Sequence, residues 1–287
     1  MNPADAALFL CTALHLAALM AWFGALALRR LLGAGQGAGE LRYLRVCGAL
    51  ALASAVLWPC LQAAVLREQA AAAWDPASVA LVLTASSFGR IWLVRLTIIA
   101  LALLASGWPM LAIGRGVLLL LAVALGSMAL LGHSGAAGPL AQGAQAVHLL
   151  AAGAWLGALP VLVVLASRLA GPDLARVLQW FSRYGLAIVG LVLGSGMLNA
   201  AWRLGSWSAL VGGDYGHLLL GKIALVAAMG ALALRNRNQL TPRLLAPDAD
   251  SMRGAQRALR WTIASEAALG LAVVLAAALL AATESPQ

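Results

Sequence analysis

The chain has 287 residues, of which 63% are hydrophobic and only 10% charged, with a mean hydropathy of +0.91. Soluble domains run close to half apolar and about a quarter charged, so an ordinary water-soluble globule is excluded. Eighteen Arg and one Lys against ten acids give a formal charge of +9, and three widely spaced cysteines exclude a disulfide framework or a zinc-finger spacing.

A helix needs about 20 apolar residues to cross a hydrocarbon core about 30 Å thick. Eight stretches meet or approach that length, predicting an all-α polytopic membrane protein. They are Ala7–Leu28, Leu44–Leu66, Gly89–Trp108, Val117–Leu131, Gln142–Ala166, Tyr184–Trp202, Gly216–Leu234 and Trp261–Ala282, the fourth being the shortest. The first has Asp5 ahead of it, Arg29 and Arg30 behind it and no small-residue cleavage pattern, so it reads as a retained helix and not a signal peptide. Gly33–Gly39 reads as a loop, and Leu244–Met252 as a flexible cytoplasmic linker. Placing the loop after the first helix in the cytoplasm leaves 14 arginines inside and only Arg67, Arg90 and Arg203 outside. Basic residues favour cytoplasmic loops, so both termini are expected outside, and the distributed arginines argue for a bilayer partner and no nucleic acid.

The halves echo each other. His15-Leu16 with Trp22-Phe23-Gly24-Ala25-Leu26 returns as His148-Leu149 with Trp155-Leu156-Gly157-Ala158-Leu159, a shift of 148 − 15 = 133. Phe88-Gly89-Arg90 with Arg95 returns as Tyr215-Gly216-His217 with Lys222, a shift of 216 − 89 = 127. Both copies run the same way, which predicts two parallel four-helix repeats, 1–135 and 136–287. Ahead of each glycine stands a short apolar run, Ala77–Ser86 and Trp207–Val211, expected as an interfacial or re-entrant piece.

All four histidines fall in the outer half of this topology. His15 and His148, within helices one and five, form the first candidate site, expected where the halves meet. They are either metal ligands or partners in a polar interhelical seam. Imidazole with thiol or thioether sulfur suits cuprous copper, and Cys11, Cys60, Met128 and Met197 share that zone. Cys11 stands four residues from His15, on one helix face. For the cysteines the plainer role is packing. His133, in Gly132-His133-Ser134-Gly135, is either a loop residue or an entry ligand; His217 reads as an interfacial cation.

Arg95 and Lys222 either snorkel to the outer interface or hold an anionic partner. Glu266 is either a hydrogen-bonding residue or part of a proton or ion relay, with Asn199 in the same class, while Gly194-Ser195-Gly196 allows close helix contact. Trp74, Trp92, Trp202 and Trp207 read as an outer aromatic belt, and Trp22 and Trp155, seven residues after their histidines, as pocket walls.

Gly132-His133, the segment His148 to Gly157, and the run Phe181-Ser182-Arg183 through Gly196, Asn199, Asp214-Tyr215-Gly216, Leu219, Lys222 and Asn236-Arg237 resemble the bacterial copper resistance protein D (CopD) family. The resemblance is densest over 181–243. It implies an eight-helix bacterial inner-membrane protein that takes copper toward the cytoplasm beside a periplasmic copper-binding partner. His15, His133 and His148 match its characteristic histidines; Tyr215, Gly216 and Lys222 match its densest motif, from which His217 departs, and Asp214 and Tyr215 join Arg95 and Lys222 as candidate outer-face polar or anion-pairing groups. The expectation is a permease, not an enzyme: copper enters at His133, passes His15 and His148 with Cys11 or a Met, and leaves by way of Cys47, Asn, Ser or Glu266. Two rivals stand beside it. One is a b-type haem protein with His15 and His148 as axial ligands and Arg95 and Lys222 on the propionates; the other is a scaffold for a copper chaperone.

Overall fold

In lipid, backbone N–H and C=O groups must be satisfied within the chain, and each long apolar run is accordingly a helix. The computed structural model describes residues 2–33, 38–108, 114–131 and 138–283. Its long helices are α1 (Pro3–Leu32), α2 (Ala38–Leu66), α4 (Ser87–Ala105), α6 (Pro139–Arg168), α7 (Gly171–Leu204), α8 (Gly213–Arg235) and α10 (Ala249–Ala282). Among the described residues seven helices are long and apolar enough to cross a membrane; the protein is a multi-pass membrane protein. The expected fourth span is shorter, a 12-residue α5 (Arg115–Gly126) prolonged by a 3-10 turn over Ser127–Leu130.

Both short apolar runs are helical. Ala77–Ser86 becomes α3 (Pro76–Thr84), capped by Asp75, which accepts from the Ala77 and Ser78 backbone N–H groups; Trp207–Leu210 is a 3-10 turn. Each folds back on the glycine that follows. A Cβ on Gly89 would overlap the Leu83 backbone, and one on Gly216 the Ala209 and Leu210 carbonyl oxygens. The linker expected over Leu244–Met252 is instead half helical, because the Asp248 side chain accepts from Ser251 N at 2.7 Å and starts α10 there. Between them, α8 passes through a π-helical turn, Asn236–Leu240, into the short α9 (Thr241–Arg243).

α1 and α6 pack together through glycine. A Cβ on Gly24 would collide with Gly153 O and the Gly157 backbone, and one on Gly157 with the Met20 carbonyl. Small residues spaced by four allow backbones this close in a membrane, where dispersion contacts do the holding. On one side of the seam, α1, α2, α4 and α5 enclose a core around Trp22, Trp92, Ile99 and Leu121. On the other side α6 packs on α7 and α10, and α10 on α8, while α7 and α8 hardly touch.

Candidate functional site

His15 is buried at 1% exposure, and all its ring contacts belong to the first half. Its Nδ1 lies 3.1 Å from both Ala51 O and Ser54 Oγ. A carbonyl oxygen only accepts, so Nδ1 carries the proton and Nε2 the lone pair. That lone pair accepts from Arg95 Nη2 at 3.0 Å. Arg95, also 1% exposed, donates further to Ala124 O and to Ser127 Oγ, and its guanidinium lies over the Trp92 ring.

This corrects several expectations. Arg95 does not snorkel, and among the described residues its Nη donors go to neutral groups of α1 and of α5 and the turn that prolongs it, while its Nε has no hydrogen-bond partner. Trp92 is no belt residue. Its indole N–H donates to Ala55 O at 2.8 Å, and its ring packs among His15, Trp58 and Phe88. Trp74 and Trp202 do remain exposed. Cys11 donates from Sγ to Ser54 O within the same packed region, Cys47 is buried in the first-half core, and Cys60 bonds back to Val56 O. Trp22 packs against Gly48, not a pocket.

His148 holds the matching position in the second half, with a different outcome. Its Nδ1 lies 3.2 Å from Val192 O and 3.1 Å from Ser195 Oγ, so again the carbonyl fixes the proton on Nδ1. Its Nε2 has no hydrogen-bond partner among the described residues, and the side chain lines a cavity of about 1750 Å³. The α7 backbone at Gly196 passes close enough that a Cβ there would press on the imidazole.

The cavity runs along α6, α7, α8 and α10 of the second half and is walled on its other side by α1, by Trp58, Gln62 and Val65 of α2, by Phe88 and Trp92 of α4 and by Met128 of the turn after α5. Its walls are mainly apolar, with Trp155 among them, and three thioethers, Met20, Met128 and Met197, are among the lining residues. Toward the end that bears the chain termini lie Asn199, Arg203, Asp214 and Tyr215; toward the opposite end lie Ser182, Asn236, Arg237 and Glu266. Lys222 lines the middle of the same cavity as His148, without a hydrogen bond or ion pair among the described residues. Asn199 and Glu266, grouped as a relay by sequence, stand at opposite ends. Tyr215 is buried against Leu204 and Leu280; Asp214 and His217 are exposed.

The two imidazoles therefore do not build one shared centre. Each is nine residues from the glycine of its own helix at the α1–α6 seam, and nine residues at about 100° each is two and a half turns, so each points away from the other half. An axial haem pair is incompatible with this packing, since Arg95 occupies the lone pair of His15. Among the described residues no cluster of three or more His, Cys, Asp or Glu side chains is placed to hold a metal ion. His133 lies outside the described residues. Sequence reasoning missed Ser54 and Ser195 as the groups that orient the histidines, and Asn236 and Thr262 beside Glu266. A serine in the second helix of each half was the available signal.

The family model described as Copper resistance protein D matches residues 175–280, and the Copper resistance protein D-like, N-terminal domain model matches residues 3–142. Copper resistance protein D of Pseudomonas syringae pv. tomato is 31% identical over 215 residues, covering 68% of this chain and 67% of that protein. Inner membrane protein YebZ of Escherichia coli (strain K12) is 30% identical over 207 residues, 69% of each chain. Copper transport protein CutJ of Bacillus subtilis (strain 168) is 32% identical over 146 residues, 49% of this chain and 25% of that one. No solved structure matches.

Proposed function

The chain belongs to the copper resistance protein D family, and from that premise we propose that it moves copper across the bacterial inner membrane, from periplasm toward cytoplasm, through the cavity of its second half. Copper is cargo here, not a resident cofactor, and no bond of the cargo is remade, so the protein acts as a permease and not an enzyme. One observation carries the reading. A backbone carbonyl fixes the His148 proton on Nδ1, which leaves the Nε2 lone pair without a hydrogen-bond partner among the described residues, on a side chain that lines a cavity whose walls include three thioethers. A neutral imidazole with an outward lone pair is the form that ligates a metal, and thioether sulfur favours the cuprous state.

The reading includes an eight-span topology in which α5 with its 3-10 extension is the fourth crossing, two duplicated four-helix units over 1–135 and 136–287, and both termini in the periplasm. Equivalent histidine, serine and cation positions in the halves support the duplication, and the arginine distribution supports the orientation. His133 serves as the entry ligand, receiving copper from a periplasmic copper-binding protein. His15 is structural.

The test is cuprous-ion binding by the purified protein, with a competing chelator as reporter, and copper uptake into proteoliposomes. His148→Ala is expected to lose stoichiometric binding and uptake, and His15→Ala to keep binding. Wild-type binding in His148→Ala would overturn the assignment.

A further inference from the structure

At the end of the cavity remote from the chain termini, α10 places Glu266 at 3% exposure. Its Oε1 accepts from Asn236 Nδ2 at 2.5 Å, and no other hydrogen bond or ion pair reaches it among the described residues. Asn236 opens the π-helical turn of α8, where the extra residue turns its amide inward. One helical turn before Glu266, Thr262 donates to Asn236 Oδ1 at 2.6 Å. Residues of α8, its π turn and α10 thus converge on one carboxyl group.

A carboxylate at this depth without a cation is costly, and a well-packed apolar residue would be cheaper. The partner is also of a particular kind. An amide presents a donor at one end and an acceptor at the other, so Asn236 suits the carboxylate as drawn and, inverted, would accept from a protonated Glu266 while Thr262 accepts its N–H. Charged groups at this end are Arg29 and Arg30 on α1, Arg168 on α6, Asp173, Arg176 and Arg183 on α7, Arg235 and Arg237 on α8 and its π turn, Arg243 on α9, and Asp250, Arg253, Arg257 and Arg260 on α10 itself, the last donating to Ala166 O. None forms an ion pair with Glu266; Arg29 pairs with Glu40 at 2.8 Å. Arg237, which donates to Ser182 O, stands at the open mouth of the same cavity end.

We propose that Glu266 is a proton-exchange site that compensates the charge of a cuprous ion bound at His148. The proposal rests on the copper reading above. The cavity already holds Lys222 and Arg203, and a further positive charge there is opposed in a low-dielectric space. When the ion arrives, the O–H bond of Glu266 breaks and the proton passes to water at the Arg237 mouth. When the ion leaves, the carboxylate takes a proton back from the same water. Copper stays cuprous throughout, so no electron is exchanged.

The experiment uses the full chain in lipid nanodiscs, with ascorbate-reduced copper as the probe and infrared difference spectroscopy as the readout. Expected are a carboxyl C=O stretch that titrates with pH, bleaches as cuprous ion binds, and is missing from Glu266→Gln, a variant that keeps the Asn236 hydrogen bond. Copper affinity is expected to rise by up to about tenfold per pH unit in wild type, as one released proton requires, and to lose that slope in Glu266→Gln. Glu266→Asp keeps a carboxyl and should restore a shifted band, which separates proton exchange from simple folding support. A band unmoved by bound copper, or a pH slope preserved in Glu266→Gln, overturns the proposal with copper binding intact. A wild-type chain that binds no cuprous ion overturns the copper reading itself, and the coupling with it.

Discussion

Arg95 donates to Nε2 of His15, and this one contact separates two histidines that the sequence makes equivalent. It uses the lone pair that His148 keeps free. His15→Ala removes an acceptor from a buried guanidinium and should cost about 1–3 kcal/mol of stability, read as a lower thermal midpoint in detergent, with cuprous stoichiometry as in wild type. Loss of copper binding in a folded His15→Ala protein would contradict this division of roles.

The α1–α6 seam makes a prediction of opposite signs on one helix. Gly157→Ala forces a methyl group into the Met20 carbonyl and should destabilise by about 1–3 kcal/mol, the range for overpacked sites. Gly143→Ala, where a Cβ meets nothing within 4 Å, should stabilise by about 0.5–1 kcal/mol through helix propensity. Thermal unfolding in micelles reads both.

Lys222 shares the cavity with His148 and has no anionic partner among the described residues. Lys222→Met removes a like charge from the neighbourhood of the proposed cation site, so cuprous affinity should rise, by about tenfold for each 1.4 kcal/mol of repulsion relieved. A chelator competition titration measures it; weaker binding would mean that Lys222 orients the site and does not oppose the ion.

The α3 helix should respond to acid. The Ser78 hydroxyl, donating to Asp75 at 2.6 Å, and then the Ser78 backbone N–H, hold the Asp75 carboxyl below its ordinary value of 3.8. A depressed carboxyl stabilises the fold above its unfolded value and loses that contribution as pH falls through the folded one. Protection factors of the amides in residues 77–84, which remove the intrinsic pH dependence of exchange, should therefore fall only below about pH 3.8, and Asp75→Ala should show lower protection at neutral pH with no further loss on acidification.

The spans were legible because lipid permits little but an apolar helix, and a run such as Gln142–Ala166 announces one by composition alone. The partners of the histidines were not. Ala51 and Val192 act through carbonyl oxygens, which leave no trace in residue type, and Ser54 looks like any small residue in a membrane helix. Trp92 sits at a depth that suits an interfacial ring, and only its direction, toward Ala55 and His15, reveals a core role. Asn236 meets Glu266 across 30 residues through a π turn that no regular period encodes. The separation of the two imidazoles was available in the sequence, in the nine-residue spacing from each to its seam glycine.

Gly24 and Gly157 lock the opening helices of the two halves backbone to backbone, and the first half behind that lock packs around Trp22, Ile99 and Leu121. The molecule is accordingly a keel and a hull. On the path proposed for copper, α7 and α8 are the cavity walls with the least mutual attachment, so they are where the cavity yields most easily.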